Sequence, residues 1–81
     1  MHISIQLFAA ARDRMGRSSI QVELGDNATV GELRRRICAD FPQLSDIVPR
    51  AMLAVDTEYA GTDQQIRATS EIALIPPVSG G

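Results

Sequence analysis

The chain contains no lysine and no tryptophan, and its eight basic residues are all arginine. Without a lysine amine there is no Schiff-base nucleophile, no phosphate loop of the lysine-bearing kind and no side-chain acceptor for conjugation. A single cysteine, Cys38, excludes an internal disulfide, and no second cysteine or histidine stands at metal-ligand spacing from it. The sole histidine, His2, opens the first predicted strand and has no reason to meet Cys38, which is read as a small helix residue. Aromatic residues are scarce: Phe8, Phe41 and Tyr59 are all there are, so the core must be aliphatic. No apolar run is long enough to span a membrane, and no basic segment followed by an apolar run opens the chain. The expected location is the cytoplasm.

What is present fits one small domain. At 81 residues with 44% hydrophobic and 22% charged residues, the chain can bury a single modest core without disulfides or metals. Its formal charge of -2 argues against nucleic acid as a partner. The run Arg34-Arg35-Arg36 falls in a predicted helix, where successive residues step by about 100° and fan around the surface, so a solvated helix face is expected.

Period-two patterning marks strands at Ile3 to Leu7 and Ile20 to Leu24, joined by a long loop over Ala9 to Ser19 that turns at Gly16; an antiparallel pairing is the simplest. Thr29-Val30-Gly31-Glu32 has the form of a capping box, followed by Val30, Leu33, Ile37 and Phe41 on one helical stripe and by Pro42 as the stop. Leu44, Ile47 and Val48 predict a short irregular connection. Ala51 to Val55 reads as a strand buried on both faces and placed mid-sheet, Asp56-Thr57-Glu58 as a turn, Tyr59-Ala60 as an edge piece, Ile66 as an isolated core contact and Glu71 to Ile75 as the closing strand. Strands grouped around one helix predict an α+β fold with a mixed sheet. The domain is expected over 1–75, followed by a tail over 76–81.

That tail is Pro76-Pro77-Val78-Ser79-Gly80-Gly81. Two prolines hold a chain extended and two glycines have almost no steric profile, a combination suited to entering a narrow channel in a neighbour. Six residues at 3.3 to 3.6 Å each reach roughly 20 Å. The rest of the chain offers no paired acid and base, no metal cluster and no nucleotide loop, so no turnover is expected from it alone, and no cofactor or metal bound by it.

The segments Leu7-Phe8-Ala9-Ala10-Ala11-Arg12-Asp13, Leu53-Ala54-Val55-Asp56 and Glu71 to Gly81 together resemble the small, sulfur-carrier subunit family of molybdopterin synthase. The resemblance implies the ubiquitin-like β-grasp fold, about five strands packed by one main helix. It also implies that an ATP-using, ubiquitin-activating-type enzyme adenylates the Gly81 carboxylate, with Gly80 giving access. Sulfur then leaves a thiocarboxylate there, for delivery to cyclic pyranopterin monophosphate in the large synthase subunit during molybdenum cofactor biosynthesis. By the same resemblance two small subunits flank a dimer of the large one.

The implied partner-binding residues are Phe8, Arg12, Tyr59 and Ile75 with the tail residues Pro76, Pro77, Val78 and Ser79. For Phe8, Tyr59 and Ile75 the alternative is completion of the core, and for Arg12 an ordinary solvated charge. The chain departs from the family at Ala68-Thr69-Ser70, where an acidic-glycine turn is common, at Ile75, where an aromatic is frequent, and at Tyr59, where leucine is frequent. Competing roles are a thiamine-type sulfur carrier, a ubiquitin-like modifier joined through Gly81 to other proteins, and a non-catalytic β-grasp interaction domain.

Overall fold

A computed structural model describes residues 1–77. Strand β1 (His2–Leu7) is followed by helix α1 (Ala9–Met15), strand β2 (Ser19–Glu23) and the main helix α2 (Val30–Asp40). Two 3-10 turns, Pro42–Leu44 and Val48–Arg50, lead to β3 (Met52–Val55), β4 (Glu58–Tyr59) and β5 (Ile72–Ile75). The strands form one sheet in the order β2-β1-β5-β3-β4, with β1 and β5 parallel and every other pair antiparallel. This is an α+β, ubiquitin-like β-grasp: a mixed five-stranded sheet with α2 against one face.

Alternation decides which side chains reach the core. Ile3, Ile5 and Leu7 of β1, Ile20 and Val22 of β2, Leu53 and Val55 of β3, and Ile72 and Leu74 of β5 are all buried, and Val30, Leu33 and Ile37 of α2 join them. Each such aliphatic side chain contributes about 1.5 to 3 kcal/mol relative to exposure. The cluster is entirely apolar. Ile66, expected as a lone contact, is 2% exposed within it.

The helix begins where the capping pattern predicts. Thr29 is extended, and its hydroxyl accepts from the Glu32 amide at 3.3 Å. Two further amides of the first turn are satisfied from a distant loop: Val30 N–H donates to Gln64 O and Gly31 N–H to Thr62 O, both at 2.9 Å. That loop lies so close that a Cβ on Gly31 would stand 2.8 Å from Thr62 Cγ2.

Three expectations are corrected. The long loop from Ala9 to Ser19 contains α1, whose Ala11 is fully buried and whose end is set by Gly16 at φ +69, donating to Arg12 O at 2.9 Å. Seven residues with one buried anchor are too few to show a helical period. Arg34 does not belong to a solvated face: it is half-buried, and its Nη1 donates to Val48 O at 2.7 Å and Ala51 O at 2.9 Å. Arg35 and Arg36 are exposed as expected, with Arg36 3.2 Å from Asp40 one turn on.

The expected mid-sheet place of β3 holds, since it is paired on both sides, by β5 and β4, while the closing strand β5 takes the centre between β1 and β3. The third correction is that β3 is buried on both faces only in part: on the side away from Leu53 and Val55, Ala54 is 7% exposed but Met52 is 46% exposed. The turn at Ala68-Thr69, the point of departure from the family pattern, is closed from Ser70, whose hydroxyl accepts from Arg67 N–H at 3.0 Å and whose amide donates to Arg67 O at 2.9 Å.

Candidate functional site

The site is organised by where β5 ends. Proline has no amide hydrogen to continue a ladder, so the strand stops at Ile75 and the chain leaves from the middle of the sheet rather than from an edge. Pro76 is buried and Pro77 is exposed. Val78, Ser79, Gly80 and Gly81, the remainder of the sequence-predicted site, lie outside the described residues.

The face of the sheet away from α2 surrounds this exit. Ile75, half-buried, is the register partner of Met52 on β3. Phe8 follows Leu7, which is paired with Leu74 on the other side of β5, and so stands at the same end of the sheet. Tyr59 is opposite Ala54, which is opposite Ala73, which is opposite Gln6. Among the described residues the large exposed hydrophobic side chains are Phe8 at 42%, Met52 at 46% and Tyr59 at 66%, and the sheet brings them to one face. Exposed apolar side chains gathered on one face of a small domain are of the kind that binding surfaces carry.

The predicted partner-binding residues that fall among the described ones each have a definite place. Phe8 and Tyr59 are open to solvent and do not complete the core, and Ile75 contributes its partly open side. Arg12 is exposed on α1 and borders, with Phe8, a shallow groove that continues over Gln6 and Ser4. Met52 was not foreseen. No pattern in the run announces it: within β3 only Met52 is exposed, while its face-mate Ala54 is buried with Leu53 and Val55.

The groups that could carry other chemistry are elsewhere. Cys38 is a free thiol, half-buried on α2, while His2 has its Nδ1 2.6 Å from Glu23 Oε2. No group of three or more His, Cys, Asp or Glu side chains is placed to hold a metal ion among the described residues. No helix among the described residues is long and apolar enough to cross a membrane. The geometry offers an apolar face beside the point where the chain leaves β5.

That combination agrees with what the whole sequence matches, the ThiS family, over residues 5–81. The chain belongs to the ThiS family. Its similarity to the molybdopterin synthase sulfur carrier subunit of Dictyostelium discoideum is 42% identity over 80 residues, covering 95% of this chain and 93% of that one. The resemblance read from the N-terminal, central and C-terminal segments is thereby borne out.

Among solved structures this ThiS-family chain is similar to SAMP1 of Haloferax volcanii, with 27% identity, a TM-score of 0.86 and full coverage of both chains. A chain from the complex of subunits 1 and 2 of the molybdopterin-converting factor of Helicobacter pylori shares the fold, with a TM-score of 0.70 at 18% identity and full coverage of both.

Proposed function

We propose that this chain is the sulfur-carrier subunit of a molybdopterin synthase and works through its C-terminal carboxylate. A terminal carboxyl with a pKa of about 3.5 is ionised at neutral pH and resists nucleophiles. Activation with ATP joins the Gly81 carboxylate to AMP and releases pyrophosphate. A sulfur nucleophile then forms a bond to the acyl carbon as the bond to AMP breaks, leaving a thiocarboxylate. The large subunit receives the tail, and the sulfur passes to cyclic pyranopterin monophosphate; two charged carriers serve each dithiolene. The chain is then a sulfur-donating subunit and not an enzyme by itself, acting in the cytoplasm with two partners, the large subunit and an adenylating enzyme.

The observation that carries this reading is the position of the exit. The chain leaves the end of the central strand, beside a sheet face that bears Phe8, Met52, Tyr59 and Ile75, so a partner seated on that face would meet the departing segment. The name of the Dictyostelium relative and the two-subunit Helicobacter complex favour a synthase large subunit as that partner. A second reading, attachment to other proteins through Gly81, is favoured by the likeness to SAMP1, a small archaeal modifier protein.

The test is intact-mass analysis after incubation with the adenylating enzyme of the same organism, ATP and a sulfur donor. The expected product has one oxygen replaced by sulfur at Gly81, and Gly81→Val, which adds bulk where a narrow channel is required, is expected to stay uncharged with its fold intact. Normal charging of the valine variant would overturn the mechanism. Adducts that survive denaturation in cells would favour the modifier reading.

A further inference from the structure

Activating the C-terminus creates a hazard that the surface of this chain meets in an unusual way. An acyl adenylate or thioester transfers to any neutral amine in reach: the nitrogen bonds to the acyl carbon, the bond to AMP or thiol breaks, the leaving group departs and one proton goes to water. A lysine with an ordinary pKa of 10.4 is neutral in about one molecule per thousand near pH 7.4, whereas a guanidinium is effectively never neutral. All eight side-chain cations here are guanidinium groups.

The other nucleophiles are engaged or give labile products. The Met1 ammonium donates to the Leu24 carbonyl, lies 3.6 Å from Glu23 Oε1, and stands at the opposite end of β1 from Leu7, which pairs with Leu74 beside the exit. Cys38 is half-buried, and a thioester formed there is reversed by free thiol. His2 has Nδ1 against Glu23, and an acylated imidazole hydrolyses.

Reach makes this matter. Arg50 stands two residues before Met52, whose register partner Ile75 immediately precedes Pro76. The six residues from Pro76 to Gly81 span roughly 20 Å, enough to fold back on this end of the domain. A lysine at such a position would face the acyl carbon at an effective concentration on the order of millimolar. The arginines meanwhile do the structural work of cations: Arg34 on Val48 O and Ala51 O, Arg36 beside Asp40, and Arg50 Nε on Asp46 O at 3.3 Å.

We propose that this chain is an acyl donor with no side-chain amine to act as its own acyl acceptor, so that its activated terminus is reserved for sulfur, and any transfer to amines gives attachments to other proteins and no chains linked through its own side chains. The proposal rests on the C-terminal activation argued above.

The test uses the full chain carrying a C-terminal thioester of a small thiol, which needs no enzyme. The native thioester is expected only to hydrolyse. Arg50→Lys, and a variant combining the exposed positions Arg35→Lys, Arg50→Lys and Arg67→Lys, are expected to raise thiol-resistant self-adducts by about tenfold or more, as internal amides one water lighter than the free acid or as covalent dimers. Native chain forming such adducts as readily as the variants would overturn the proposal, and so would a triple variant that forms none. Charging of the same proteins by adenylating enzyme, ATP and sulfur donor is read separately; absence of thiocarboxylate there counts against the carrier reading, while the thioester result still decides self-acylation.

Discussion

Met52 stands directly across from Ile75 in the antiparallel β3–β5 ladder, one residue before the first proline of the C-terminal segment. The pair ties the exit of the chain to a side chain that is nearly half open to solvent. A partner that grips Met52 therefore fixes the place from which the tail departs, and this coupling of docking to delivery gives the first prediction.

Met52→Asp places a charge where the partner must exclude water. Binding to the synthase large subunit is expected to weaken by tenfold to a hundredfold, about 1.4 to 2.7 kcal/mol, as for a residue central to an interface. Because the position is exposed, the melting temperature should move by less than about 4 °C. Titration calorimetry with the large subunit and a thermal melt check both halves; unchanged affinity would remove Met52 from the docking face.

Arg34→Ala removes the guanidinium donor from the Ala51 carbonyl and from the Val48 carbonyl, which keeps only the Ala51 amide at 3.2 Å, in a half-buried setting. The expected loss is about 1 to 3 kcal/mol, the cost of under-satisfying buried acceptors. Arg35→Ala, on the exposed side of the same helix, should stay within about 0.5 kcal/mol. Urea unfolding of the two variants makes the comparison, and equal stabilities would mean that Arg34 does not hold the connection between α2 and β3.

The β3–β4 hairpin turns through Asp56 at φ 52 and Thr57 at φ 72, a left-handed pair that a β-branched residue adopts only under strain. Thr57→Gly should stabilise the domain by about 0.5 to 1 kcal/mol, the relief exceeding the added chain entropy. Asp56→Gly should not, because the Asp56 carboxylate accepts from the Glu71 amide at 2.9 Å and that bond would be lost. Thermal melts of the two variants distinguish strain from hydrogen bonding.

Asp46, between the two 3-10 turns, has its carboxyl held below the ordinary range, first by a hydrogen bond from Arg14 and further by the charges of Arg14 and Arg50. A pKa lowered by folding adds stability above the unfolded-state value, and that contribution disappears as pH falls through the folded-state value. Asp46→Asn should thus be less stable than native at neutral pH and converge with it at about pH 2. The pair is exposed, so the neutral-pH difference should be small and should shrink with added salt. A difference that grows toward acid would contradict the assignment.

Much of the architecture is legible in local pattern. Period-two runs mark β1, β2 and β5 because one face of each is buried, and Thr29 announces α2 because its hydroxyl has a definite bond to make. Helix α1 is not legible: its one buried side chain is Ala11, and the elements it packs on, the Pro42–Leu44 turn and β5, are remote in sequence. Arg34 is not legible either, since its acceptors lie 14 and 17 residues away and nothing in an arginine triplet singles out its first member.

The candidate site divides along the same line. A lysine-free composition, a Pro-Pro-Val-Ser-Gly-Gly ending and the alternation of each strand are properties of the chain at short range; the first two carry the proposal for its terminus, and the third decides which side chains share a face. Which face stays open, that β5 and not β3 lies at the centre, and that Phe8, Met52 and Tyr59 gather around the exit are decided by packing. A single helix long enough to cover one side of the sheet leaves the other side bare, and alternation alone carries no record of which side that will be.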